Sequence, residues 1–144
     1  MILIDANLLL YAYDKASDQN KRAQQWLETL FEQPQPVRLA WATILAFLRI
    51  STNPRAFHHP LATDEALAVV TEWLSLPNVD IINPTERHFE ILGKLLRSGQ
   101  ATASLVTDAH LAALAIEHGA VLYTADRDFA RFAGLKFSNP LEES

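Results

Sequence analysis

The sequence predicts an α/β fold built on a central parallel sheet with helices on both faces. Three observations predict it. Short runs that are wholly apolar or β-branched recur along the chain, the first being Ile2-Leu3-Ile4. Between them lie longer stretches with apolar residues at helical spacing. Strand-like and helix-like segments alternate, as right-handed β-α-β units require and as a sheet buried on both faces produces.

Residues 2–4 read as a buried strand ending at Asp5, and a helical run follows directly with Asn7. Ala23, Trp26, Leu27, Leu30 and Phe31 occupy one face of an amphipathic helix that Pro34 and Pro36 close. Val37 to Ala40 reads as a second strand. It leads into an almost wholly apolar helix around residues 41–51, in which Arg49 is the only charge. Asn53-Pro54 opens a loop that runs to about Pro60. Thr63 reads as the N-cap of the next helix, with Asp64 and Glu65 in its first turn and Ala66, Val69, Val70, Trp73 and Leu74 on its inner face. Val79 to Ile82 is the third strand. A helix from Thr85 presents Ile91, Leu92, Leu95 and Leu96 inward, and His88 continues that spacing as a core-edge histidine. Residues 108–118 form an alanine-rich helix stopped by Gly119. Ala120 to Thr124 is a strand, Asp126 to Phe132 a short helical turn, and Leu135 to Phe137 a last short strand.

Composition bounds the function. The 144 residues carry no repeat and no Gly- or Ser-rich linker, so residues 1–144 read as one domain. A hydrophobic fraction of 49% and a charged fraction of 20% are those of an ordinary globular protein. Without cysteine, neither a disulfide framework nor a zinc–thiolate site is available. The N-terminus lacks a basic segment, and no apolar run reaches the roughly 18 residues of a membrane span. A soluble, cytoplasmic chain with no membrane association is the expectation. A net charge of −5 argues against a simple nucleic-acid binder, yet a cluster of carboxylates awaiting a divalent cation also makes a chain acidic.

Ligands bind at the carboxyl ends of the strands of such sheets. Asp5 ends the first strand there, although an N-cap is its plain structural reading. Asp108 reads equally as an N-cap or as a functional acid. Asp126 and Asp128 follow the strand at 120–124, where turn and capping uses of aspartate are common. Together the four say more than each alone. Two carboxylates about 4 Å apart repel by roughly 4 kcal/mol at an effective dielectric near 20, so a cluster needs a shared proton or a cation. Oxygen ligands without cysteine favour Mg²⁺ or Mn²⁺, one ion or two, and the matching chemistry is phosphodiester hydrolysis by metal-activated water.

Three segments carry a family resemblance: Ile2-Leu3-Ile4-Asp5-Ala6-Asn7, then Leu105-Val106-Thr107-Asp108-Ala109-His110-Leu111, then Leu122-Tyr123-Thr124-Ala125-Asp126-Arg127-Asp128-Phe129 with Asn139-Pro140 beyond it. In order and spacing the chain resembles PIN-domain proteins, specifically the VapC toxins of VapBC toxin–antitoxin systems. The resemblance implies a three-layer α/β/α fold, Mg²⁺- or Mn²⁺-dependent endoribonuclease activity on RNA, and inhibition by a cognate VapB-type antitoxin. It also implies a homodimer, for which the apolar content of the helices at 23–31 and 64–76 offers a surface. Asp5, Asp108 and Asp126 resemble the family's metal-binding acids, and Asp128 resembles a neighbouring acid that helps hold water. One departure stands out. Ala46 occupies the place where the family usually has glutamate, in Trp41-Ala42-Thr43-Ile44-Leu45-Ala46. Its absence favours a single-metal site and keeps open a non-catalytic module that binds RNA or antitoxin. A metal-dependent phosphatase is a more distant alternative, because four glycines supply no phosphate-cradling loop.

Arg127 and Arg131 flank the acids and are the candidates for substrate phosphate, with Arg49 as a third; solvated charges explain them comparably. Arg55, His58 and His59 read as a solvated loop. His110 and His118 are too far apart for an i, i+4 metal pair. Trp26, Trp41 and Trp73 read as core or subunit-interface anchors.

Overall fold

The computed structural model describes residues 1–142. Five parallel strands form one sheet: β1 (Ile2–Ile4), β2 (Val37–Ala40), β3 (Val79–Ile82), β4 (Val121–Tyr123) and β5 (Phe137–Ser138). Helices α1 (Ala6–Tyr13) and α2 (Asn20–Glu32) connect β1 to β2. Helices α3 (Trp41–Ser51) and α4 (Thr63–Ser75) lead to β3, and α5 (His88–Ser98) and α6 (Leu105–His118) lead to β4. A single 3₁₀ turn, Arg127–Arg131, joins β4 to β5.

Strand alternation explains the layers. Ile2 and Ile4 point to one face, where they pack with α1 to α4, and Leu3 points to the other, with Leu111, Leu114 and Leu95 of α6 and α5. Both faces of β1 are therefore fully buried, as its unbroken apolar run requires. The larger core is anchored by Tyr13, Phe47 and Trp73, whose rings meet edge to face at 4.7–5.8 Å, and the Trp73 indole N–H donates to the Tyr13 hydroxyl at 3.2 Å. Helices α5 and α6 are tied by polar groups as well. The buried Glu117 carboxylate accepts from the Thr85 backbone N–H at 2.7 Å and from His88 Nδ1 at 2.8 Å. His88 Nε2 then accepts from His110 Nδ1 at 2.9 Å. Burial, and then the neighbouring His88, hold the His110 pKa below its ordinary value.

Several boundaries differ from the sequence expectation. Thr63 is the first residue of α4, and Ala62 occupies the cap position. The chain enters one residue earlier because Leu61 N–H is bound to Ser51 O at 2.8 Å, and Glu65 then accepts from Ala62 N–H at 2.9 Å. Helix α5 starts at His88, since Thr85 is used in a turn that presents its hydroxyl to Arg87 N–H at 3.2 Å. Helix α6 starts three residues before Asp108, because a turn over residues 102–104 winds directly into it. The last strand is displaced to Phe137–Ser138.

The order across the sheet is β3-β2-β1-β4-β5. The chain begins at the centre, moves outward through β2 and β3, then returns to the other side of β1 for β4 and β5. At that reversal, between β1 and β4, the connections leave in opposite directions, and in such sheets the ligand crevice lies at the carboxyl ends of the two strands.

Candidate active site

Asp5 follows β1 and Thr124 to Asp128 follow β4, so the crevice is walled by the segments that carry the aspartates. Asp5 is extended (φ −79°, ψ 150°) and caps α1, its Oδ1 accepting from Ala6 N–H at 2.7 Å. Its second oxygen accepts from the Thr124 hydroxyl at 2.8 Å. Thr124 is 1% exposed, and its hydroxyl oxygen also accepts from Asp126 N–H at 3.0 Å and from Asn7 Nδ2 at 3.3 Å. Asn7 Oδ1 in turn accepts from Ala125 N–H at 3.3 Å. Capping and clustering are thus compatible: one carboxylate oxygen serves the helix while the other is oriented by β4.

Asp126 caps the 3₁₀ turn by accepting from Asp128 N–H at 2.8 Å. Asp108 is the fourth residue of α6, in its first turn, and the cap position belongs to Ser104, which removes the N-cap explanation for Asp108. Burial raises the Asp5 pKa first, and the Asp126 charge adds to it, against the opposing bonds from Thr124 and Ala6. Asp108 is pushed up to about 6, by burial first and then by the charges of Asp5, Asp126 and Asp128; Arg131 partly offsets them. Four acids from three separate stretches of the chain therefore share one electrostatic field. Their accessibility is graded, with Asp5, Asp108 and Asp126 half-buried and Asp128 exposed.

The arginines part company. Arg131 is close enough to act on the Asp108 charge, and its Nη1 donates to Gly99 O at the end of α5 at 3.0 Å. Arg127 is drawn to Glu142 at 3.4 Å, with its side chain 90% exposed. Arg49 stands in the last turn of α3 with no ion pair among the described residues. Helix α3 carries no carboxylate anywhere along Trp41–Ser51. Among the described residues no three His, Asp or Glu side chains converge closely enough to enclose a metal by themselves. The donor set still suits Mg²⁺ or Mn²⁺, which take one or two carboxylates and fill the remaining positions with water and phosphate oxygens. The negative charge around Asp108, only partly offset by Arg131, provides the electrostatic demand.

Thr124 and Asn7 were assigned no role on sequence grounds. The available signal was that each stands two residues from an acid at a strand end, with Asn7 following Asp5 and Thr124 preceding Asp126.

This arrangement, an all-parallel sheet with acids gathered at its switch point, defines a class of α/β domain with an acidic candidate site, and comparison with known proteins narrows it. Residues 2–135 match the PIN domain family model. Ribonuclease VapC37 of Mycobacterium tuberculosis is 41% identical over 97% of this chain and 97% of its own length. Ribonuclease VapC33 of the same organism is 44% identical over 99% of this chain and all of its own. Among solved structures, VapBC2 from Rickettsia felis, bound to a promoter DNA fragment, superposes with a TM-score of 0.69 at 20% identity, covering 96% of this chain and 98% of that one. The chain belongs to the PIN domain family and, within it, to the VapC ribonucleases.

Proposed function

We propose that this chain is a divalent-metal-dependent endoribonuclease and the toxin of a VapBC pair. The observation that carries the reading is the common field of Asp5, Asp108, Asp126 and Asp128 at the β1–β4 crevice, felt most strongly at Asp108. The two relatives described above, both ribonucleases, support the reaction class.

In this reading Asp5, Asp108 and Asp126 hold Mg²⁺ or Mn²⁺. Such an ion, when bound, lowers the pKa of an attacking water and offsets charge on the phosphate oxygens. The protein's own groups do the positioning. Thr124 fixes the Asp5 carboxylate, Asp126 and Asp128 accept hydrogen bonds from water at the rim, and Arg131 approaches the phosphate from the α5 side. Arg127 joins it once released from Glu142, and Arg49 extends the basic contact for RNA. Inhibition by a VapB-type antitoxin and assembly as a homodimer complete the proposal. The acid-free α3, with Ala46 in place of the family's glutamate, favours one metal ion over two. It is also the observation behind the second reading, a degenerate domain that binds RNA or antitoxin without cutting.

Purified chain, freed of antitoxin, is assayed on RNA with Mg²⁺, Mn²⁺ or EDTA. Asp5→Asn and Asp108→Asn should each lower cleavage by roughly 100-fold or more, and EDTA should abolish it. Equal cleavage by wild type and both variants, or cleavage in EDTA, overturns the mechanism. RNA or antitoxin binding without cleavage by wild type selects the second reading.

A further inference from the structure

Beside the acids lies a second feature that the reading above leaves unused. A cleft of about 450 Å³ runs between the 3₁₀ turn and the last strand, bounded by Asp126, Arg127, Phe137, Asn139 and Glu142. Its size is that of a small-molecule site. Asp126 belongs to both the cleft and the acid cluster, and Thr124, whose hydroxyl holds Asp5, forms part of the same wall. The two are continuous.

The cleft's chemistry selects its occupant. Asp126 and Glu142 are both acidic, and the Arg127 guanidinium is already engaged with Glu142. Two acids line the cleft and Arg127 is assigned above to the cleaved phosphate, so an uncharged planar group fits the cleft better than a second phosphate does. Phe137 leaves 36% of its surface exposed on an edge strand whose two residues are both open to solvent. Asn139 spends its Oδ1 on Leu141 N–H at 3.0 Å, which fixes the amide, and among the described residues no acceptor is bound to its two amide hydrogens. A flat apolar surface beside a fixed amide donor suits the face and the edge of a nucleobase.

We propose that this cleft is a nucleoside subsite. The base next to the cleaved phosphate of an RNA strand stacks on Phe137, and the Asn139 amide donates to that base's edge. The inference rests on the ribonuclease reading and adds a part of the substrate to it. Asn139, part of the segment that carries the family resemblance, thereby gains a role of its own.

The test is a mutant cycle between protein and RNA. An oligonucleotide that the chain cuts is remade with one abasic residue at each position around the cut, and kcat/KM is measured for wild type, Phe137→Ala, Phe137→Trp and Asn139→Ala. One flanking position should matter: losing its base should lower wild-type kcat/KM about 5- to 150-fold. Phe137→Ala should cost a similar factor on intact RNA and then be indifferent to the abasic residue at that position. Phe137→Trp should retain wild-type behaviour. If the Phe137→Ala loss is absent, or multiplies independently with every abasic loss, the subsite is wrong while the nuclease reading stands. If wild type cuts no RNA with either metal, the nuclease reading fails and the subsite with it. Thermal unfolding checks that each variant folds, and Asn139→Ala carries the same cycle should Phe137→Ala not fold.

Discussion

Thr124 concentrates more of the site's order in one hydroxyl than any acid does. It donates to Asp5 and accepts from Asp126 N–H and the Asn7 amide, so all of its hydrogen-bonding capacity is spent. Thr124→Val keeps the shape and deletes that oxygen, stranding two donors in a nearly water-free position. A loss of about 1–3 kcal/mol in urea unfolding is expected, with Thr124→Ser far closer to wild type. Asp108 makes a second prediction at this scale. Its pKa is about 6 in the fold against 3.8 in the free side chain, so between these values the folded chain holds a proton that the unfolded chain has released. Stability of the metal-free protein is therefore greatest, on this group's account, below pH 4 and falls as pH rises through 6. Asp108→Asn should melt higher than wild type at pH 7–8, by on the order of 1 kcal/mol once solvent screening is allowed for, and the gap should close below about pH 4. Added Mn²⁺ should narrow the gap by stabilising wild type alone. A gap of equal size at pH 4 and pH 8 would show that the acid cluster is not its source.

Individual elements are held by different kinds of force. Helices α1 to α4 rely on apolar area, with Trp73 and Phe47 essentially closed to solvent, whereas α5 and α6 add a polar tie through Glu117. That carboxylate is 1% exposed and serves both Thr85 N–H and His88. Glu117→Ala leaves both donors facing a cavity and should cost about 3 kcal/mol in equilibrium unfolding. The consequence for function is indirect, since α6 also carries Asp108, and Gly99 at the end of α5 anchors Arg131. A change confined to the far end of the hairpin would shift Asp108 against Asp5.

For the whole molecule, topology decides where chemistry is possible. Any strand order that failed to seat β4 beside β1 would scatter the four acids. Exposed apolar residues also belong at this scale. Leu67 and Leu74 on α4 are open, as are Trp41 and Leu45 on α3, while Trp26 of α2 is partly covered by Tyr123 at 5.8 Å between ring centroids. The α4 part of the expected dimer surface thus remains available, and α2 offers less of it. Sedimentation of the purified chain should find two copies, and Leu67→Glu should drive it toward one; a monomeric wild type would discard the homodimer.

Much was legible without coordinates, for reasons that differ by feature. Strand and helix identities follow from periodicity, a local property that Ile2-Leu3-Ile4 or Ala23 to Phe31 displays in full. Boundaries were less legible because they depend on contacts from elsewhere: Ser51 sets the start of α4 by binding Leu61 N–H, and nothing near Thr63 announces it. The aspartates could be named from their positions at strand ends and, for Asp108, at a helix start, and their ranking came from a family resemblance. Which of them capped a helix and which shared a field could not be read, since Asp108 at the cap and Asp108 within the first turn look alike in sequence. Thr124 and Asn7 were in view as letters but without a role, because the hydroxyl that orients Asp5 lies 119 residues away from it. Sequence alone determined the α/β class, which rests on patterns of near neighbours, and it nominated the acids as candidates. Tertiary structure decided their joint charge, the divergent partners of Arg127 and Arg131, and the cleft beside Phe137, because strand order alone brings distant carboxylates within reach of one another's fields.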